Sequence, residues 1–97
     1  MTAAPDTIER EVWATQTEFR HGLVLAFPDG VSERAGAFTV NAPPAAMEIA
    51  LTELPPRAIA LLNMPRMKVS IRMTAGTPEE RRAMLRRMDL AMQRGGG

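Results

Sequence analysis

Met67-Lys68-Val69-Ser70-Ile71-Arg72-Met73, followed after one residue by Ala75-Gly76-Thr77-Pro78-Glu79-Glu80, decides the fold. In the first seven residues apolar and polar side chains alternate strictly. A period of two places Met67, Val69, Ile71 and Met73 on one face of a strand, with Lys68 and Arg72 on the other. Ala75-Gly76 turns the chain. Thr77, Pro78 and Glu80 then stand at the N-cap, N1 and N3 positions of a helix, where the threonine and glutamate satisfy free amide donors and proline loses nothing. This helix is expected to run to about Gln93 and to stop at Gly95-Gly96-Gly97. Met84, Leu85, Met88, Ala91 and Met92 form its apolar stripe. Arg81, Arg82 and Arg86 lie off the stripe, and Arg87 flanks it.

Upstream the pattern is less regular. Asp6-Thr7-Ile8-Glu9 has the spacing of a helix cap, but Val12-Trp13-Ala14-Thr15-Gln16-Thr17-Glu18-Phe19 is rich in β-branched and aromatic residues and reads as a strand. The apolar run Leu23–Phe27 reads as a second, buried strand, closed by the turn Pro28-Asp29-Gly30. Ala37–Val40 reads as a third. Ala45–Leu54 suits either period, and its alanines and the preceding Pro43-Pro44 favour a short helix. Arg57–Met64, between Pro55-Pro56 and Pro65, is apolar and undecided between helix and strand.

These elements imply one small α+β domain over 1–97, with 1–6 and 95–97 frayed. Its sheet is largely antiparallel, and the C-terminal amphipathic helix packs on one face. Ninety-seven residues with 45% hydrophobic and 24% charged content suit a single compact core rather than a disordered chain. The absence of cysteine excludes disulfides, thiolate metal centres and cysteine nucleophiles, and fits a reducing compartment. The first residues have no basic and apolar regions of a secretory signal. The longest strongly apolar stretches, Leu23–Phe27 and Ala58–Leu62, are far short of a membrane span. A cytoplasmic location with no membrane partner is the expectation.

The charge is divided along the chain. Residues 1–54 carry three basic and eight acidic side chains, a net of −5, and residues 55–97 carry nine basic and three acidic, a net of +6. The basic half therefore calls for an acidic partner, and the acidic half of the same chain is one candidate. Arg81, Arg82, Arg86 and Arg87 on the helix, with Lys68 and Arg72 on the strand, are the candidate partner-binding residues. The same side chains, with Arg66, would suit phosphates of a nucleic acid backbone, although residues 55–97 contain no aromatic side chain on which bases could stack. Seven of the eight methionines lie at or beyond residue 47. They read as core filling, as an adaptable contact surface or, with soft thioether ligands, as a Cu(I) site.

His21, the sole histidine, has no nucleophile elbow, metal-spaced histidine or phosphate loop to accompany it. The terminal Gly95-Gly96-Gly97 has the form of a conjugation tail. It follows a helix, and a helix stop accounts for it. No catalytic residue, metal or cofactor is expected. The expected function is a non-catalytic protein-interaction or accessory module of a bacterial-type cytoplasmic complex, with a protein partner or a second copy bound. Nucleic-acid backbone binding through the basic half is the alternative.

Overall fold

A computed structural model describes residues 7–95, with side chains through 92. In chain order the elements are β1 (Thr7–Val12), α1 (Gln16–Ala26), β2 (Val31–Arg34), β3 (Ala37–Ala42), β4 (Ala45–Ile59), β5 (Leu62–Ala75) and α2 (Pro78–Gly95). The strands form one antiparallel sheet in the order β1-β5-β4-β3-β2. Both helices lie on the same face. The fold is therefore the expected small α+β arrangement, in two layers. Of the termini expected to fray, 1–6 and 96–97 lie outside the described residues, and Gly95 closes α2.

The strand expected at 67–73 lies within β5, which is twice as long because it begins at Leu62, and the helix from Thr77 stands as expected and runs slightly further. The Thr77 amide donates to Glu80 Oε1 at 2.8 Å, and the Glu80 amide donates to Thr77 Oγ1 at 3.2 Å. That reciprocal pair is a capping box.

Three expectations are corrected. Residues 12–19 and 23–27 are not two strands. β1 ends at Val12, and α1 takes up from Gln16 to Ala26. Thr15 caps α1 with Glu18, a second capping box that outweighs the β-branched content of the segment. Phe19, Leu23, Ala26 and Phe27 recur at helical spacing and are buried, while Val24 and Leu25 between them are exposed. Residues 45–54 are not a helix. They are the first part of β4, where Ala45, Met47 and Ile49 alternate inward and hydrogen bonds to β3 and β5 satisfy the backbone on both sides. Pairing on two edges overrides the weak helical preference of alanine.

The core lies between the layers. Phe38, Val40, Met47, Ile49, Val69 and Ile71 from the sheet are each at most 1% exposed and meet Phe19 and Leu23 of α1 and Met84 and Met88 of α2. The stripe at 84, 88 and 92 faces the sheet and α1. An added Cβ at Gly22 would lie 2.3 Å from Met92 Sδ, so the absence of a side chain at Gly22 lets α1 and α2 approach closely. Four of the β-strand methionines and helix methionines at the centre of this core (Met47, Met67, Met84 and Met88) are at most 4% exposed.

Candidate functional site

The six predicted binding residues fall on opposite sides of the molecule. Lys68 and Arg72 alternate with core residues on β5 and so project from the uncovered face of the sheet. Arg72 donates to Glu48 on β4, and Lys68 stands in register with Glu11 on β1 and Thr52 on β4. Arg66, next on that face, donates to Glu11 Oε2 at 3.2 Å and to the Pro55 carbonyl at 3.0 Å. Ser70 donates to Glu9 at 3.2 Å. The charge division is thus partly settled inside one molecule: acidic side chains of β1 and β4 flank basic ones of β5.

Arg81, Arg82, Arg86 and Arg87 ride on α2, in the other layer. Arg82 and Arg86 are exposed, and the Arg87 guanidinium lies over the Phe27 ring, 4.8 Å from its centroid. One continuous basic surface, as backbone binding to a nucleic acid would use, is not assembled from these residues. Among the described residues Met47, Met67, Met73, Met84 and Met88 are buried, because the strand and helix periods both turn them inward, while Met64 on β5 and Met92 on α2 are half-buried and lie on different elements, so they form no continuous methionine surface. His21 is exposed on α1.

A further surface feature lies in the segment that the sequence leaves undecided. Beyond Ala50, β4 has no partner but β5, and before Met67, β5 has no partner but β4. Residues 53–67 therefore form a two-stranded arm standing clear of the sheet. At roughly 3.3 Å per residue, its tip lies about 20 Å beyond the Glu53–Met67 pair. The ladder is irregular between Leu54 and Arg57, opposite Pro65. Pro55, Pro56 and Pro65 remove three amide donors from the root of the arm, which discourages another strand from adding to its edges.

The arm ends in apolar side chains. Ile59 and Leu62 pair across the ladder and are 48% and 63% exposed, and Leu61 between them is 101% exposed. Arg57 is the single charged residue in 54–65. The tip is also strained. In the two-residue loop Ala60-Leu61, Ala60 takes φ 55° and Leu61 does not take a positive φ, the sign pattern of a II′ turn. Such a turn favours glycine at its first position, and a glycine there would leave the tip less strained.

Beside the root of the arm lies a cavity of about 210 Å³ between the sheet and the helices. Val12, Trp13, Phe19, Val69, Met88 and Met92 give it apolar walls. Arg10, Glu18 and Asp89 supply its charged groups, with Arg10 donating to Asp89 Oδ1 at 2.7 Å. Trp13, 44% exposed, follows β1 directly, and Val12 is in register with Met67, where the arm begins. On the far side, Arg20 binds both carboxylate oxygens of Glu33 at 2.8 Å. Those hydrogen bonds hold the Glu33 carboxyl below its ordinary range and raise the guanidinium.

No protein-family model matches the chain, and no curated protein is significantly similar to it.

The sequence does carry a signal for the arm. Pro55-Pro56 and Pro65 bracket eight residues with one charge. The bulge breaks the alternation there, so no single period survives for the eye to follow.

Proposed function

We propose that this chain is a non-catalytic interaction module that engages a protein partner through the tip of the β4–β5 arm. The observation that carries this reading is the placement of Ile59, Leu61 and Leu62 in solvent at the end of a projecting ladder, outside the core. Single exposed leucines are ordinary, but three apolar side chains gathered on one projection are what an interface presents. The prolines at the root steer the contact to side chains at the tip rather than to backbone edges. The exposed guanidinium groups of Arg82 and Arg86 form a separate flank, suited to an acidic rim on the same or another partner. Among the described residues no nucleophile with an activating base adjoins the arm or the cavity, and the geometry there favours binding.

The test places a photo-crosslinking amino acid at position 61 in cells, with position 29 as the exposed control. A discrete protein adduct from position 61 and none from 29 is expected. Adducts from both positions alike, or none from 61, would refute the reading.

A further inference from the structure

We infer that the occupant of the arm is a second copy of this chain, each tip docking in the cavity beside the other copy's arm root; this rests on the arm being a protein contact. One molecule carries both halves of the fit. The tip is convex and apolar, with Leu61 wholly exposed, and the cavity is concave, apolar and large enough for one or two such side chains. They cannot meet within one molecule. The cavity adjoins the Val12–Met67 pair at the root, and the tip stands about 20 Å further along the β4–β5 ladder.

Two copies related by a two-fold axis across their arms solve this. Antiparallel arms bring tip to root twice, which makes a closed, self-complementary contact. Charge agrees with the same arrangement. Arg57 is the single charge near the tip, whereas Arg10, Glu18 and Asp89 leave the cavity with a net charge of −1. Each docked tip therefore brings a cation to a rim with one carboxylate in excess.

Trp13, the sole tryptophan, forms part of the cavity and reports on its occupancy. The experiment is sedimentation equilibrium of the full chain over a dilution series, with tryptophan emission recorded in parallel. The expected result is a monomer–dimer equilibrium in which association shifts the emission to the blue. Leu61→Asp should raise the dissociation constant at least about 100-fold, and Ala14→Phe, which obstructs the cavity wall, should do the same. Mixing the two variants should restore association in part, to a level between the parent and either variant alone, because one intact tip then meets one intact cavity while the second contact stays broken.

A monomer at every concentration would overturn the proposal, as would a dimer indifferent to Leu61→Asp or one that leaves the Trp13 emission unmoved. Circular dichroism of each variant separates loss of docking from loss of fold. The position-61 crosslink separates the two levels of the argument. An adduct with a different protein, or with lipid on added vesicles, removes the second copy as occupant. The protein adduct leaves the arm reading standing, and the lipid adduct removes both.

Discussion

Replacing Ala60-Leu61 with Gly-Asn should make the protein more stable and less able to associate. In the free chain Leu61 is 101% exposed and supports nothing, so its loss costs the fold essentially no packing. Ala60 holds φ 55°, a left-handed conformation that costs an L-residue roughly 1–2 kcal/mol and glycine little. Glycine also loosens the unfolded chain, which returns about 0.4–1 kcal/mol of that gain. The net is a stabilisation of about 0.5–1 kcal/mol, or a rise in Tm of roughly 2–8 °C for a domain of this size. Association moves the other way. A leucine side chain taken fully out of water contributes about 1.5–3 kcal/mol, and a two-fold contact loses two of them. At about 1.4 kcal/mol per tenfold, the dimer should weaken by a factor on the order of 10²–10⁴. Melts should be recorded at concentrations where the parent protein is monomeric, since dimerisation itself stabilises the folded chain. A lower Tm in the variant would refute the assignment of strain to Ala60. A higher Tm with unchanged self-association would refute the role given to Leu61.

Three further outcomes are expected. The β2–β3 loop, Ala35-Gly36, has both residues at positive φ (52° and 79°), so Ala35→Asn should raise stability by about 1 kcal/mol in chemical denaturation. A Cβ at Gly30 would lie 2.3 Å from the Asn41 carbonyl oxygen, a backbone atom fixed by the Asn41 amide bond to Gly30 O at 2.8 Å; Gly30→Ala should cost about 1–3 kcal/mol, read as a lower denaturation midpoint at constant slope. The Glu33 carboxyl is held below its ordinary range by Arg20, so unfolding takes up a proton as pH falls. Its stabilising contribution is complete above the unfolded-state value of about 4.3 and disappears as pH falls through the lower folded-state value. The stability difference between the parent and Glu33→Gln should shrink over that acidic window and stay constant from pH 6 to 8 by urea titration.

The chain's own patterns account for much of this fold, but unevenly. β5 and α2 are legible because one period holds for seven residues in the first, and a cap, a stripe and a stop agree in the second. α1 is harder to read, although Thr15 and Glu18 spell its capping box. The β-branched content of residues 12–17 and the apolar run at 23–27 both imitate strands. Only the spacing of Phe19, Leu23, Ala26 and Phe27 reveals which side is buried. β4 is misleading for a different reason. Its alanines favour a helix locally, and what makes it a strand is pairing with β3 and β5, partners that a local window does not contain. For the candidate binding residues, sequence identifies the charges but not their neighbours. Lys68 and Arg72 look like free cations until β1 and β4 bring Glu11 and Glu48 alongside. The apolar tip is visible as composition, but its projection depends on β1 and β3 ending early.

That early ending also sets how the molecule opens. Beyond Arg66, which bonds to Glu11, the arm is held laterally by its own ladder, whereas one face of the sheet behind it is covered by two helices. Amide exchange should therefore keep two clocks. Protons in the Arg57–Met64 ladder should leave through local fraying, on a timescale indifferent to the stability of the whole. Those of Met47–Ile49 and Val69–Ile71 should wait for global unfolding. The arm can thus be rewritten, or melt, without the core registering the change.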